Sequence, residues 1–184
     1  MNQERDLVCL RQLQDGDTQA LAELYDRYTP LLYPVVRRIL RTDADSEEAL
    51  QEAWLQVWRR SATYDARRGT VAAWLLTVAR SRALDKYRSL SSRRQAESRV
   101  EPETAGAPID PGAETARGQL GERVRAALAQ LTPQQRQVLE IAYFEGLSQS
   151  EVAQRLTAPL GTVKSWTRQG LMRLRELLPQ EEWT

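Results

Sequence analysis

The chain has 184 residues, of which 41% are hydrophobic and 28% are charged, and its formal net charge is +1 at pH 7. This length allows one large or two small globular domains, and no apolar run approaches the ~18 residues that a membrane-spanning helix needs. The near-neutral charge excludes a general polycation, so nucleic-acid binding must come from local clusters of basic residues. Because the N-terminus lacks the pattern of a signal peptide, we expect a cytoplasmic protein without membrane insertion.

The chain contains one cysteine, Cys9, and no histidine. This composition excludes an internal disulfide, zinc sites that combine cysteine and histidine, and catalytic triads that use histidine. Cys9 is interpreted as a small buried hydrophobe, with a redox switch as the alternative. We predict no metal site and no cofactor. Since no motif promotes catalysis, we also predict that the protein is not an enzyme.

Apolar residues recur at helical spacing along most of the chain, and no β-type alternation is present, so the predicted fold is all-α. Residues 89–119 interrupt this pattern with three prolines, three glycines and few large apolar side chains. Such a composition is typical of a flexible linker. We therefore predict two small helical domains, at residues 1–90 and 120–184, joined by a linker at 91–119.

In the first domain, the spacing of apolar residues predicts a helix over about 17–28. Pro30 and Pro34 are interpreted as the start of a second helix, which continues to Leu40. The segment from Asp43 to Ser46 is expected to cap a third helix, because its side chains accept hydrogen bonds from exposed backbone N–H groups.

The third helix has two contrasting faces. One face forms a predicted core stripe of Ala49, Leu50, Ala53, Trp54, Val57 and Trp58. The opposite face holds Glu48, Gln51, Glu52 and Leu55. Acidic residues beside an exposed leucine suit a protein partner with a basic surface, although an ordinary solvated face explains the same pattern equally well.

A basic segment ends the first domain. A helix is predicted from a Thr70 cap to about Arg88, anchored in the core by Val71, Trp74, Leu75 and Val78. Its later part and the residues that follow contain six basic residues and one acid: Arg80, Arg82, Lys86, Arg88, Arg93, Arg94 and Asp85. This charge exceeds what a helix C-terminus needs and favours contact with phosphates over helix stabilisation alone.

The loop before this helix places Tyr64 close to Arg67 and Arg68. An aromatic ring beside cations provides a stacking surface for an unpaired base and positive charge for its backbone.

The C-terminal domain contains two N-terminal helix signatures, at Thr132–Gln135 and Ser148–Glu151. A break at 157–161 follows the second, and a further helix is predicted from Thr162. Two short helices across a tight turn form a helix-turn-helix, whose second helix normally lies in the DNA major groove. Val163, Gly170, Leu171, Leu174 and Leu178 are predicted to face inward, and Lys164, Ser165, Arg168, Gln169 and Met172 to face outward.

These segments together resemble a known family, the extracytoplasmic-function sigma factors of bacterial RNA polymerase. The promoter-melting domain of that family is similar to DSEEALQEAWLQVW (45–58) and YDARRGTVAAWLLTVARSRALD (64–85). Its C-terminal domain is similar to LTPQQRQVL (131–139), GLSQSEVAQRL (146–156) and PLGTVKS (159–165). The two domains match in the family's order.

The resemblance implies an initiation factor that binds core RNA polymerase, through its β′ clamp and β subunits, and directs it to promoter DNA. It implies three sets of contacts, and regulation by a cognate anti-sigma factor. The set for core polymerase is Glu48, Gln51, Glu52 and Leu55. The set for the minus-ten element, where an unpaired base is captured, is Tyr64, Arg67, Arg68, Arg80, Ser81, Lys86 and Arg88. The set for the minus-thirty-five element is Ser148, Lys164, Ser165, Trp166, Arg168, Gln169 and Arg173.

Three positions depart from the family pattern. Ser81 replaces a usual asparagine, and Trp166 replaces a usual arginine. The Trp166 ring is expected either to stack on the DNA or to pack against its own domain. Thr157 stands where the turn usually has glycine, and we expect a locally reshaped turn because positive φ is unfavourable for a β-branched residue.

Two other interpretations use the same helices. One is a helix-turn-helix regulator that binds duplex DNA as a dimer without polymerase. The other is a helical adaptor that binds only proteins. Neither gives a purpose to the acidic helix face and the basic loop together with the helix-turn-helix.

Overall fold

The computed structural model describes residues 3–97 and 117–178, in which every regular element is helical. This confirms the all-α prediction. The chain separates into two compact units, residues 1–109 and 110–184. None of the helices in the described ranges has the length and hydropathy required to cross a membrane.

The first unit is a bundle of four helices. They are α1 (Gln3–Gln14), α2 (Thr18–Leu40), α3 (Asp43–Arg60) and α4 (Val71–Glu97). Helices α2, α3 and α4 pack against one another, and α1 packs against α2. The interior is mostly apolar and includes the fully buried side chains of Leu10, Leu24, Tyr28, Val36, Val57 and Leu75.

Helix α2 runs without a break through Pro30 and Pro34, so the prediction of two separate helices is wrong. Each proline removes one backbone hydrogen bond from the helix. Both prolines are exposed, however, and lie four residues apart on the solvent face, where water can reach the released carbonyl groups. The buried stripe continues on the other face, through Leu24, Tyr28, Leu32, Val36 and Ile39, and stabilises the helix across the prolines.

Helix α3 begins earlier than its predicted cap. Its N-cap is Thr42, whose hydroxyl accepts a hydrogen bond from the Asp45 backbone N–H at 3.3 Å. Asp43 instead accepts hydrogen bonds from Tyr33 and Arg37 on α2, both at 2.7 Å. The predicted core stripe is buried except for Trp58, which is half-buried.

Helix α4 begins as predicted, because the Thr70 hydroxyl accepts a hydrogen bond from the Ala73 backbone N–H at 3.2 Å. It continues to Glu97, past the predicted end near Arg88 and into the predicted linker. The reason is that residues 89–97 contain neither proline nor glycine, so nothing in their backbone opposes the helix. Residues 98–116 of the predicted linker lie outside the described residues.

Helix α1 was not predicted, and a buried polar cluster attaches it to α2. The Asp6 carboxylate, 1% exposed, accepts hydrogen bonds from the Arg27 guanidinium and the Tyr28 hydroxyl. Cys9 is buried nearby, which confirms its interpretation as a small interior residue. Burial and the neighbouring Glu23 carboxylate raise the pKa of the Cys9 thiol, so little reactive thiolate forms at neutral pH.

The second unit contains α5 (Arg117–Ala129), α6 (Pro133–Glu140), α7 (Gln149–Arg155) and α8 (Leu160–Leu177), with a π-helical stretch, Ile141–Glu145, after α6. Helices α6 and α7 both pack against α8. Both predicted helix signatures form complete capping boxes, Thr132 with Gln135 and Ser148 with Glu151. The buried core is Val138, Val152, Ala153 and Val163.

Helix α8 begins at Leu160, two residues before its predicted start. Val163 and Gly170 are buried as predicted, and a Cβ on Gly170 would lie 2.9 Å from Leu139 Cδ1 on α6. The inward placement of Leu171 is wrong, because its side chain is 54% exposed. The contact line passes through Val163, Gly170 and the half-buried Leu174, and Leu171 lies about 80° around the helix from the middle of that line.

Candidate functional site

The predicted polymerase-binding residues form one exposed face of α3. Glu48, Gln51, Glu52 and Leu55 are all exposed, and Leu55 is 54% exposed although its neighbours Trp54 and Val57 are buried. A single exposed leucine is common on protein surfaces, so the partner of this face is a matter for the proposal below. We call these four residues the α3 face.

Lys86 of α4 connects the α3 face with the basic part of α4. Its Nζ lies 2.7 Å from Glu48 Oε1 and 3.8 Å from Asp45 Oδ1. The Lys86 side chain is only 14% exposed, whereas Glu48 is 62% exposed. In this geometry the Lys86 charge is balanced by two carboxylates of its own domain.

The other predicted minus-ten residues of α4 are spread over its solvent side. Arg80 is half-buried, and Ser81 and Arg88 are exposed. Asp85 lies between two arginines of α4. Its Oδ1 is 3.8 Å from an Arg88 nitrogen, and its Oδ2 is 3.8 Å from an Arg82 nitrogen. The Arg88 side chain is 61% exposed, so its guanidinium is accessible to a phosphate.

The loop between α3 and α4 is folded into two short 3-10 turns, Ser61–Thr63 and Ala66–Arg68. Tyr64 lies between them, half-buried, with its ring against Trp74 at a centroid distance of 5.7 Å. Its hydroxyl donates a hydrogen bond to the Gly69 carbonyl oxygen at 2.9 Å. Tyr64 is therefore held at its ring by α4 and at its hydroxyl by its own loop.

Arg67 and Arg68 project from the second 3-10 turn and are both exposed. Asp65 caps this turn by accepting a hydrogen bond from the Arg67 backbone N–H at 3.0 Å. Hydrogen bonds from the Arg67 side chain and backbone lower the pKa of the Asp65 carboxyl. Asp65 is therefore ionised at neutral pH, and the turn that it caps carries two exposed cations close to Tyr64 in the sequence.

The helix-turn-helix presents its polar residues on the exposed side of α8. Lys164, Ser165, Arg168 and Gln169 are exposed as predicted. Within the described residues, Lys164 and Arg168 form no ion pair, so both charges are open to an anionic ligand. Gln169 donates to Ser165 Oγ and accepts from Gln135 Nε2, each at 3.3 Å, so it is already oriented by its neighbours.

Three more of the predicted minus-thirty-five residues, besides Gln169 and Ser165, have partners inside the unit. Trp166 is half-buried and packs against the core, which favours the second of its two predicted roles. Ser148 uses its hydroxyl to cap α7, accepting from the Glu151 backbone N–H at 3.3 Å. Arg173 lies 3.0 Å from Glu176 and also donates to Gln130 Oε1 at 3.5 Å.

The turn before α8 keeps its left-handed residue although glycine is absent. Thr157 has a φ of 50°, so the expected reshaping of the backbone is not seen. The turn is closed by hydrogen bonds from the Thr157 and Ala158 backbone N–H groups to Gln154 and Ala153 carbonyl oxygens. The geometry is retained at the cost of local strain at a β-branched residue.

Sequence reasoning missed the long-range contacts of three polar residues that shape these surfaces, namely Gln3, Gln14 and Asp45. Gln3 and Gln14 bond to the loop before α4, and Asp45 pairs with Lys86. No local motif marks any of them, because each contact joins residues that are far apart in the sequence.

Comparison with known protein families matches both units. Residues 24–93 match the family model for Sigma-70 region 2, and residues 127–176 match the model for Sigma-70 region 4. Together the two matches span more than half of the chain.

The chain is 40% identical over 173 residues to the ECF RNA polymerase sigma factor SigK of Mycobacterium sp. (strain JLS), covering 93% of this chain and 89% of that protein. It is 42% identical over 170 residues to the SigK of Mycobacterium ulcerans (strain Agy99), covering 92% and 91%. Among solved structures, Rhodobacter sphaeroides SigE, in complex with the anti-sigma ChrR, is 28% identical, with 96% and 99% coverage and a TM-score of 0.48. On the matched regions and the extent of identity, this chain belongs to the extracytoplasmic-function (ECF) family of RNA polymerase sigma factors, which direct the polymerase to promoters.

Proposed function

We propose that this sigma factor contacts core polymerase and promoter DNA through three separate surfaces. The α3 face binds the β′ clamp of core polymerase. The Tyr64–Arg68 loop, with Arg80, Ser81 and Arg88 of α4, engages the minus-ten element. Lys164, Ser165, Arg168 and Gln169 of α8 enter the major groove at the minus-thirty-five element. The observation that carries the proposal is the division of charge in the first unit: Glu48 and Glu52 are exposed on α3, and exposed arginines lie on the loop and the helix that follow, at Arg67, Arg68 and Arg88.

Lys86 has a different role from the one expected of a DNA contact. Because it is paired with Glu48 and Asp45, it holds one carboxylate of the α3 face in place. We therefore assign Lys86 to the support of the polymerase-binding face. Similarly, Trp166, Ser148 and Arg173 support the fold and orientation of the helix-turn-helix.

The energetics explain why such a factor needs the polymerase. Extruding a base from a duplex costs a few kcal/mol, and stacking on an aromatic surface returns about 1–3 kcal/mol. Because the Tyr64 ring is already in contact with Trp74, less of its surface is left for a base to stack on. Polymerase contacts must supply the difference, and the free factor should open no promoter.

The division into domains at 1–90 and 120–184, with a linker at 91–119, remains part of the proposal. Helix α4 runs to Glu97 and α5 begins at Arg117, so at most 19 residues between them can be extended, and they reach about 65 Å. The two promoter elements are separated by up to about two turns of DNA, each about 34–36 Å. A linker of this length would let each domain reach its element and contact the β subunit on the way.

We also propose that the factor acts in the cytoplasm, has no catalytic activity of its own, and is regulated by an anti-sigma partner. These properties are implied by the family. A native purification should recover the factor in two exclusive complexes, one with core polymerase and one with the inhibitor. Recovery of a single complex containing both would contradict this mode of regulation.

Glu52→Lys tests the assignment of the α3 face. Reversing an exposed charge in the contact surface should abolish core binding, whereas binding of the free factor to minus-thirty-five duplex at low salt should not change. Glu47→Lys, on the same helix but outside the face, makes the same change of charge and serves as the control. Affinity for core is measured by fluorescence anisotropy with labelled factor. Normal core binding by Glu52→Lys would show that the face is assigned wrongly.

A further inference from the structure

The loop before α4 is tied at both ends to a single helix, α1. At its start, Gln14 Nε2 donates a hydrogen bond to the Ser61 carbonyl oxygen at 2.9 Å. At its end, the Val71 backbone N–H donates to Gln3 Oε1 at 3.3 Å. The amide nitrogen of the same glutamine donates to the Tyr64 hydroxyl at 3.1 Å. Helix α1 thus contacts the loop at its first residue, Ser61, and at its aromatic residue, Tyr64. It also contacts Val71, the first residue of α4 after the loop.

The two glutamines are placed by the geometry of α1. They lie at the first and last positions of the helix, Gln3 and Gln14, which corresponds to an axial distance of about 16 Å. The helix between them is anchored by buried Leu10 and Leu13 and by the Asp6 cluster. Because the helix is rigid and anchored, the spacing between its two loop contacts is fixed.

Tyr64 passes this constraint to the rest of the loop. It accepts from Gln3 and donates to Gly69, so the three groups form a continuous chain of hydrogen bonds. Arg67 and Arg68 lie within the segment that this chain closes. Both arginines therefore project from a backbone whose two ends cannot separate without breaking contacts to α1.

We infer that α1 is a brace that fixes the minus-ten loop in its DNA-binding shape before DNA arrives, and that Gln3 and Gln14 are its positioning residues. The inference rests on the proposed role of the loop in capturing an unpaired base. A loop that is already ordered loses less conformational entropy on binding, so more of its contact energy remains for holding the base. Gln3 and Gln14 need not touch the DNA themselves.

The test uses the full-length chain with core polymerase and a promoter identified by transcription from a genomic library. A 2-aminopurine in the minus-ten element reports base unstacking. The test variant is Gln3→Ala combined with Gln14→Ala, and the control is Gln12→Ala, an exposed glutamine of the same helix. A neutral hydrogen bond contributes about two- to tenfold to an equilibrium. We expect promoter opening to be about tenfold slower in the double variant and unchanged in the control.

Two further measurements separate positioning from general destabilisation. Core affinity should stay within about twofold, and hydrogen exchange at the Val71 amide should become faster, because its acceptor Gln3 is lost. Gln3→Ala should slow opening less in a Tyr64→Phe background than in the unmodified factor, because its contact with that hydroxyl is already lost and only its contact with the Val71 N–H remains to be removed.

Equal opening by the double variant and the control would overturn the inference, as would a loss of core binding in the double variant. If the unmodified factor with core fails to unstack the 2-aminopurine, the proposed role of the loop fails and the brace fails with it. Failure of the proposed function is distinguishable from failure of the brace alone, because it appears in the unmodified factor without any substitution.

Discussion

Replacing Lys86 with methionine distinguishes support of the α3 face from contact with DNA. Methionine keeps most of the aliphatic stem and removes the charge, so packing is largely preserved. An exposed ion pair contributes roughly 0–1 kcal/mol. Lys86 is only 14% exposed and its loss removes the counter-charge of the Asp45 and Glu48 carboxylates, so we place the cost at about 1–2 kcal/mol. The value allows for the solvent screening of Glu48, which is 62% exposed.

Two assays measure the effect. Urea unfolding of the free protein should show the loss of stability, and titrations of promoter with holoenzyme at several salt concentrations should show how many phosphates are contacted. Each phosphate contact contributes about −0.9 to the slope of log K against log salt. For Lys86→Met the slope should not change, whereas for Arg88→Met it should become shallower by about 0.9. A change of that size for Lys86→Met, with unchanged stability, would refute the assignment.

Three further predictions concern separate parts of the chain. Burial, followed by the hydrogen bond to Asp6, raises the pKa of the Tyr28 hydroxyl above its ordinary value of 10.0. The unfolded chain then releases this proton above about pH 10 while the folded chain keeps it, so stability should fall with rising pH above that point, by up to about 1.4 kcal/mol per pH unit. The free energy of unfolding of Tyr28→Phe, measured by urea titration between pH 9 and 11, should fall less steeply with pH. An equal slope in both proteins would contradict the role of the tyrosine. Thr157→Gly should stabilise the second unit by about 0.5–1 kcal/mol, because glycine accepts the φ of 50° without steric strain, which offsets its larger unfolded-state entropy. Thermal unfolding checks this, and a lower melting temperature would show that the threonine is not strained. Arg168→Ala should weaken promoter binding by about 1–3 kcal/mol on templates with an intact minus-thirty-five element and have little effect where that element is scrambled. An equal loss on both templates, measured by holoenzyme gel shift, would indicate a non-specific contact.

Local signals allowed much of the fold to be predicted from the sequence. The caps at Thr132 and Ser148 and the start of α4 after Thr70 depend on side chains within three residues of the backbone groups that they bind. The two-faced pattern of α3 likewise depends only on helical spacing. These features appear in the structure as the sequence indicates.

The errors arose where the environment of a residue decides the outcome. Pro30 and Pro34 end a helix in most contexts, but here both face solvent and the buried stripe on the other side keeps α2 continuous. Leu171 has the spacing of a core residue, yet the close approach of Gly170 to Leu139 sets a contact line that leaves it outside. Neither fact can be known before the partner helix is placed.

The candidate surfaces were predicted better than the contacts within them. Exposure of the α3 face and of Lys164 and Arg168 follows from helix geometry. The pairing of Lys86 with Glu48 joins α4 to α3, and the bond from Gln3 to Tyr64 joins residues 61 positions apart. Such long-range contacts leave no local signal, so they were accessible only from the structure.

Promoter opening with and without core polymerase tests the central claim most directly. A selected promoter is incubated with the factor alone, core alone and both together, and unpaired thymines are detected with permanganate. Reactive thymines at the minus-ten element should appear only when both are present, because the factor supplies recognition and the polymerase supplies the remaining energy. Tight binding of a dimer of the factor to the same DNA, with no contribution from core, would contradict the account.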